Sequence, residues 1–497
     1  MAAALATPPL HIRRSPPRTL ASNARPHSHT TMPHTGAMKT KVLVLLLLLS
    51  VCSSLALEWQ TDTGSGSGSG SGRPYHFGEE SFRHWTRSRQ GRFRVLEQFT
   101  HELLEDAVGN YRVAELEAAP RAFLQPSHYD ADEVMFVKEG EGVVVLLRGE
   151  RKESFCVREG DVLVIPAGAV VYSANTHHSE WFRVVMLLSP VSTSGHFEEF
   201  YPIGGESPES FLSVFSDDVI QASFNTRREE WEKVFEKQSK GEITTASEEQ
   251  IRELSRSCSR GGGRSSREEG GDTGSRSSSK WEIKPSSLTG KRPTHSNSHG
   301  KHYEITGDEC PHLRVLDMKV GLANISRGSM MALSYSTRAH KIAIVVDGGE
   351  GYFEMACPHV SGGRSSSQRR EREHGRREWG GREEEEEEGG RGHKSRSYRQ
   401  VKSRVREGSV IVIPAGHPTA LVAGENSNLA VLCFEVNANF DEKVFLAGRN
   451  SALKQMDGPA KLLAFGADEE EVVDRVIGAQ KDAVFLRGPQ SRRVSSA

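Results

Sequence analysis

The hydrophobic positions along the chain change periodicity in a repeating order. From Phe93 to Leu188, short apolar and β-branched runs are broken by Gly, Pro, Asn and Asp, which predicts β-strands. From Ser207 to Lys237, apolar residues fall at helical spacing. Strand texture resumes from His302 to Val436, and a second helical stretch follows from Asn439 to Leu486. The order strand, helix, strand, helix predicts an internal duplication.

The two halves also share short phrases. "GDVLVIPAG" begins at Gly160 and "GSVIVIPAG" begins at Gly408, and both fit G-x5-P-x-G. The glycines and proline of this pattern predict a strand end and a turn that ordinary residues would strain. "EVMFVKEGEGVVV" from Glu133 matches "KIAIVVDGGEGYFE" from Lys341. Each of these two segments predicts a β-hairpin closed by an acidic, glycine-containing turn.

The residues before the first strand pattern predict a targeting leader. Lys39 and Lys41 precede an apolar run from Val42 to Val51, and Ser54 and Ala56 are small residues at the spacing of a signal-peptidase site. We interpret this segment as a secretory signal peptide. Its apolar run is shorter than the ~20 residues that span a bilayer, so no stable membrane anchor is expected.

Composition indicates where the remaining segments of the chain begin and end. Of the 497 residues only 36% are hydrophobic, and the mean hydropathy is -0.52, so part of the chain is expected to be non-globular. Residues 1–37 are interpreted as an upstream extension, with an organelle transit peptide as the alternative. The predicted segments are a signal peptide (38–56), a Gly-Ser linker (57–72), an N-terminal domain with a helical arm (73–240), a disordered linker (241–300), a C-terminal domain with a helical arm (301–486), its charged disordered insertion (361–397) and a tail (487–497).

Charge and cysteine content narrow the function classes. The net charge is -2, and the arginine-rich tracts are interleaved with glutamate, so no nucleic-acid partner is expected. Such tracts are instead typical of exposed loops that proteases cut. Five cysteines remain after the leader, an odd number, and their spacing defines no disulfide framework. The chain contains no P-loop, GxGxxG or GxSxG pattern.

The repeated phrases resemble those of two-cupin seed globulins of the vicilin class. The most specific segments are "SHYDADEVMFVKEGEG", "GDVLVIPAG", "MACPH" and "IVIPAGHP", preceded by "RPYHF", and the resemblance extends from Arg73 to about Leu486. It implies a mainly β fold, with two tandem cupin (jelly-roll) β-barrels that are each followed by a helical arm.

The resemblance also implies a function without catalysis. It points to a non-enzymatic seed storage protein that takes the secretory pathway to the protein storage vacuole and is consumed by storage proteases at germination. It further implies a homotrimer whose helical arms dock onto the neighbouring subunit. The arm residues expected at that contact are Phe211, Phe215, Val219 and Phe224 in the first half, and Val472, Val473, Val476 and Ile477 in the second.

The cupin metal positions are incomplete in both halves. They align with Pro126, His128, Glu133 and Val171 in the first half, and with Ser334, Ser336, Lys341 and Thr419 in the second. A metal usually needs at least three well-placed ligands, so a cupin metalloenzyme is not expected. His128, Asp130, Asp132 and Glu133 form an acidic cluster for which a remnant metal site, a calcium site and simple strand-start solvation remain alternatives.

A different metal site is the main alternative to pure storage. Some vicilins carry a copper bound by a Cys, two His and an upstream Tyr, and the matching residues here are Cys357, His359, His417 and Tyr75. Thiolate and imidazole ligands suit copper or zinc. The alternative function is therefore a copper- or sugar-binding, non-enzymatic bicupin, with no cofactor required for storage. Asn324 begins the sequon "NIS" and is the predicted glycosylation site.

Overall fold

The computed structural model describes residues 74–205, 207–235, 237–256, 258, 282–358 and 398–489. The predicted leader, the Gly-Ser linker and the charged insertion at 361–397 lie outside these residues. Among the helices of the described ranges, none is long and apolar enough to cross a membrane.

The N-terminal half folds into two facing antiparallel sheets, ordered β14-β9-β6-β11-β4-β3-β2 and β12-β5-β10-β7-β8, with β13 paired to β5. Its strands are β2 (Phe82–Arg87), β3 (Gly91–Leu96), β4 (Arg112–Ala118), β5 (Ala122–Tyr129), β6 (Ala131–Glu139), β7 (Glu141–Arg148), β8 (Arg151–Arg158), β9 (Asp161–Ile165), β10 (Val170–Asn175), β11 (Phe182–Pro190), β12 (Glu199–Phe200), β13 (Ile243–Thr245) and β14 (Ser286–Ser287).

The C-terminal half repeats the arrangement in sheets ordered β1-β23-β20-β25-β17-β16-β15 and β22-β21-β24-β18-β27, with β19 and β26 beside the second. Its strands are β1 (His76–Phe77), β15 (His295–Asn297), β16 (Gly300–Ile305), β17 (Met318–Ile325), β18 (Ser329–Met331), β19 (Ser334–Ser336), β20 (His340–Gly348), β21 (Gly351–Cys357), β22 (Arg399–Val405), β23 (Val410–Ile413), β24 (Thr419–Ala423), β25 (Leu429–Val436), β26 (Lys443–Phe445) and β27 (Phe485–Arg487). The expected pair of jelly-roll barrels is confirmed.

Short helices connect the strands. They are α1 (Glu105–Val108), α2 (Asp217–Phe224), α3 (Arg228–Phe235), α4 (Glu248–Arg256), α5 (Pro311–Val315), α6 (Gly458–Phe465) and α7 (Glu470–Ile477), with 3₁₀ turns at Glu79–Ser81, Phe211–Val214 and Ala452–Gln455. The two predicted helical stretches are present as α2–α3 and α6–α7. The second stretch begins later and ends earlier than predicted, because Lys443–Phe445 pairs with β19 and Phe485–Arg487 pairs with β18 as strands of the C-terminal barrel.

The predicted hairpins are wrong. β6 pairs with β9 and β11, whereas β7 pairs with β8 and β10, so the chain crosses between the two sheets at Gly140. β20 and β21 separate in the same way. The backbone at Gly140 has φ +80°, and a Cβ there would lie 2.3 Å from the carbonyl oxygen of Trp181. The predicted glycine turn is therefore present, but it forms a barrel corner between the two sheets rather than a hairpin.

The central strands are apolar on both faces because two cores cover them. Along β6, Val134 and Phe136 belong to a cluster shared with the C-terminal barrel, whereas Met135 and Val137 belong to the interior of the N-terminal barrel. Successive residues of a strand point to opposite faces, so each face has its own core. The near-continuous apolar runs in the sequence result from this two-sided burial.

The barrels also exchange their outermost strands. β1 precedes the N-terminal barrel but pairs with β23 of the C-terminal barrel, and β14 follows the long linker but pairs with β9 of the N-terminal barrel. The repeated glycines make room for these crossing segments. A Cβ on Gly160 would lie 2.2 Å from the Thr289 side chain, and one on Gly408 would lie 2.8 Å from that of Glu79.

The glycine conformations confirm the predicted turns. Gly160 and Gly168 have φ of +84° and +74°, and Gly408 and Gly416 have +81° and +75°. L-residues with a side chain rarely adopt these values, so both copies of the phrase require glycine at these positions.

The segment predicted as a disordered linker (241–300) is partly ordered. β13 pairs with β5, and α4 packs Ile251 against the outer face of the N-terminal barrel near Val143 and Val145. Cys258 forms a disulfide with Cys156 of β8, across 102 residues of sequence. The sequence spacing did not reveal this bond, because folding alone brings the two thiols together. Residues 259–281 of this segment lie outside the described ranges.

We expect Phe136→Ala to destabilise the chain by about 3–5 kcal/mol, because it leaves a cavity in the core shared by both barrels. The measurement is denaturant-induced unfolding followed by circular dichroism. Val191→Ala is the control, because that side chain is 61% exposed, and its effect should stay within about 0.5 kcal/mol. Equal effects of the two substitutions would contradict the shared core.

Candidate functional site

Two of the predicted copper ligands meet inside the C-terminal barrel. The Tyr75 hydroxyl lies 3.0 Å from the Cys357 thiol, and both residues are fully buried. Tyr75 reaches this position because β1 crosses to the C-terminal barrel, where its carbonyl accepts a hydrogen bond from the Val412 amide. Burial and contact with Cys357 raise the pKa of Tyr75 well above its usual range.

His417 lies beside this pair on the turn after β23. The ring centroids of Tyr75 and His417 are 6.4 Å apart, and the Nδ1 of His417 lies 3.0 Å from the carbonyl oxygen of Ala415. A ligand histidine is commonly oriented by such a bond to a backbone carbonyl. His340, which the sequence analysis missed, is close enough that His417 lowers its pKa after the larger effect of burial.

The fourth predicted ligand, His359, lies outside the described residues. Within them, no group of three His, Cys, Asp or Glu side chains is placed to hold a metal. The described part of the chain thus brings together a thiol, a phenol and an imidazole of the predicted copper set.

The aligned cupin metal positions of the N-terminal barrel converge only in part, because Glu133 and Val171 line one cavity whereas His128 does not. The His128 ring stacks on Phe200 with centroids 4.9 Å apart. Asp130 accepts a hydrogen bond from the Glu198 amide at 2.7 Å, and Asp132 accepts one from the Ala167 amide at 3.0 Å. Two members of the acidic cluster therefore cap strand ends, while Glu133 points elsewhere.

Glu133 lies in the interior of the N-terminal barrel, together with two acids that the sequence analysis missed. Glu133, Glu199 and Glu242 all line one cavity of about 80 Å³. The Ser127 hydroxyl donates to Glu199 at 2.7 Å, and the Thr86 hydroxyl donates to Glu242. No local pattern marks Glu199 or Glu242, because they come from β12 and from the loop before β13.

Burial raises the pKa values of these three carboxyl groups. Burial and then the charge of Glu199 raise the pKa of Glu133 to about 8, and the same two causes raise that of Glu242 to about 7. Burial also raises the pKa of Glu199, although the side-chain donors around it oppose the shift. Near pH 5 the cavity therefore contains neutral carboxyl groups.

The C-terminal barrel replaces these acids with a charged network. The Glu435 carboxylate lies 2.8 Å from the Lys341 ammonium and 3.0 Å from that of Lys319. Burial alone would raise the pKa of Glu435, but these two ammonium groups and that of Lys443 outweigh it and hold the pKa well below its usual range. Burial, followed by the charge of Lys341, lowers the pKa of Lys443 to about 7.

The predicted glycosylation site lies on a strand rather than in a loop. Asn324 is in β17, between Lys301 of β16 and Ala430 of β25. Its side chain is exposed on the outer face. Modification of Asn324 stays a prediction.

We expect Glu133→Gln to change the pH dependence of stability. The folded pKa of Glu133 lies above its unfolded value, so its contribution is fully present below about pH 4 and is lost as pH rises toward 8. The variant should match the wild type at pH 4 and exceed its unfolding free energy at pH 9 by about 2–4 kcal/mol. Denaturant unfolding at both pH values measures this.

The comparison must be made between variant and wild type, because Lys443 acts in the opposite direction. Its lowered pKa means that the C-terminal barrel loses stability as the pH falls from about 10 toward 7. Glu159→Gln, at an exposed position, is the matched control. A difference between Glu133→Gln and wild type that does not vary with pH would contradict the buried neutral acid.

Comparisons with known proteins agree with this architecture. The Cupin family profile matches residues 90–231 and 286–473. "Cupincin" of Oryza sativa subsp. indica is 68% identical over 422 residues, which cover 84% of this chain and 87% of that protein. "Vicilin Cor a 11.0101" of Corylus avellana is 40% identical over 425 residues, which cover 84% of each.

A solved structure shows the same fold. The crystal structure of vicilin from Corylus avellana superposes with a TM-score of 0.70 at 40% sequence identity, covering 84% of this chain and 100% of that one. The chain therefore belongs to the cupin family and, within it, to the vicilin-class globulins.

Proposed function

We propose that the protein is a non-enzymatic seed storage globulin, a nutrient reservoir that is consumed by proteolysis at germination. The observation that carries the proposal is a pair of well-packed cupin barrels in which the aligned metal positions hold Val171 and Thr419 among other non-ligands. Relatives that carry the names vicilin and globulin support a storage role. The predicted leader at 38–56 supports a secretory route to the protein storage vacuole.

A homotrimer is the proposed assembly. On α2 and the turn before it, Phe215, Val219 and Phe224 are 41–48% exposed. On α6 and α7, Leu463 and Val476 are 86% and 74% exposed. Apolar surface concentrated on the helical arms favours burial against another copy. Among the expected contact residues, Val473 is buried within its own chain, and Phe211 and Ile477 are partly buried there.

Storage proteases are the proposed consumers. Two charged segments, at 259–281 and 361–397, supply arginine and glutamate and fall outside the described residues. Their arginine- and glutamate-rich composition is typical of segments that proteases cut, while the barrels remain folded. The disulfide between Cys156 and Cys258 would retain α4 on the N-terminal barrel after a cut in the first segment.

The storage role is tested by quantifying the protein through seed development and germination. We expect it to accumulate in the maturing seed at three times the mass of one chain, and to fall during germination with first cuts in 259–281 and 361–397. A cytosolic housekeeping protein from the same extracts is the control. A low, constant level in both stages would contradict storage.

A second candidate function is copper binding in the C-terminal barrel. We propose Cys357, His417 and Tyr75, with His359, as the ligands. Its support is the 3.0 Å contact between the Tyr75 hydroxyl and the Cys357 thiol. A copper ion held by a thiolate can exchange electrons. The residues of this chain would fix its position through the buried thiol and the carbonyl-oriented imidazole of His417.

Metal analysis of the protein purified without chelators tests this site. We expect stoichiometric copper or zinc in the wild type and its loss in Cys357→Ala. Cys433→Ala is the matched control, because burial raises the pKa of this second thiol of the same barrel to about 11. Loss of metal in both variants, or no metal in the wild type, would contradict the proposed ligands.

A further inference from the structure

The cavity of the N-terminal barrel is lined both by apolar side chains and by carboxyl groups. Its apolar lining includes Phe93, Met135, Val144, Ile165 and Phe182. The three carboxyl groups line the same cavity, as do Tyr129 and Tyr201. The residues lining this cavity, within the described ranges, include no lysine, arginine or histidine. Three acids without a lining cation favour a positively charged occupant.

The carboxyl groups differ in how far the protein already satisfies them. Glu199 accepts a hydrogen bond from the Ser127 hydroxyl at 2.7 Å, and the side-chain donors Tyr201 and Tyr129 also oppose the effect of burial on its pKa. Glu133 is only 4% exposed. Neither a hydrogen-bond donor nor a cation among the described residues lowers its pKa. A buried carboxyl group without a donor costs free energy, so Glu133 is the position at which a ligand would gain most.

The size and ligand geometry limit what can bind. The cavity of about 80 Å³ is smaller than the ~150 Å³ cavity that admits benzene. A metal ion is not favoured, because the described residues contain no group of three side chains placed to hold one. A small organic cation with a short apolar body matches both the carboxyl groups and the apolar side chains that line the cavity.

We propose that this cavity binds a short primary alkylamine, with its ammonium group between Glu133 and Glu199 and its alkyl chain along the apolar lining. The ammonium donates charge-assisted hydrogen bonds to the carboxylates. The chain buries its methylene groups against Met135, Val144 and Ile165. This site is independent of the storage role and of the copper site in the other barrel.

Binding is coupled to a proton. In the free protein at low pH, the Glu133 carboxyl holds a proton, and the other ionisable groups that line its cavity are Glu199, Glu242, Tyr129 and Tyr201. When the amine binds as an ammonium ion, the Glu133 proton passes to the buffer and the carboxylate pairs with the ligand. Affinity should therefore rise from pH 5 to pH 8.

The test is isothermal titration calorimetry of the full chain with three probes of one length: n-propylamine, n-propanol and propionate. At pH 8 we expect n-propylamine to bind roughly tenfold or more tightly than n-propanol, and propionate not to bind. Propylamine affinity should fall at pH 5. At pH 6.5, titration in buffers of different ionisation enthalpy should show proton release.

Matched variants distinguish the loss of the binding site from the loss of the folded cavity. Glu133→Gln should weaken propylamine binding by roughly tenfold while leaving propanol binding unchanged, which shows that the cavity is intact. Glu242→Gln should weaken it less, and the exposed Glu159→Gln should not change it. Equal binding of propanol and propylamine, tighter binding of propionate, or no saturable binding of propylamine would each overturn the proposal.

Discussion

The fold depends on the burial of the sheets that the two barrels press against each other. Val134 and Phe136 of β6 share one core with Ile342 and Ile344 of β20, while the alternate residues of β6 fill the N-terminal barrel. A strand with two apolar faces is stable only when both are covered. Neither half could leave this face in water, so the duplication acts as one cooperative unit. The exchanged strands β1 and β14 strengthen this association, because each pairs with a strand of the other barrel.

The same exchange creates the only thiol–phenol pair that we find among the described residues. Tyr75 and Cys357 are 282 residues apart in sequence, and they meet because β1 leaves the N-terminal barrel. A change that weakened the crossing would therefore disturb both the shared core and the proposed copper site. This links the chemistry of the C-terminal barrel to the association of the two halves, since the hydroxyl of Tyr75 is supplied by the crossing strand.

The two barrels share a scaffold but have opposite interiors. The N-terminal barrel gathers carboxyl groups that burial keeps neutral, whereas in the C-terminal barrel lysines hold the Glu435 carboxylate ionised. The glycine turns and the strand order are the same in both, so the backbone does not dictate this difference. Lys341 shows this most directly, because it occupies the position that aligns with Glu133 and pairs with Glu435.

The sequence alone determined the duplication, the left-handed glycine turns, the two helical stretches and the incomplete metal positions. Each follows from local periodicity or from a side chain's presence at a stated position. Tertiary structure alone decided that β6 and β7 lie in different sheets, that Cys156 bonds to Cys258, and that Glu199 and Glu242 join Glu133. The physical reason is that an alternating pattern shows which face of a strand is buried, but not which distant strand covers it.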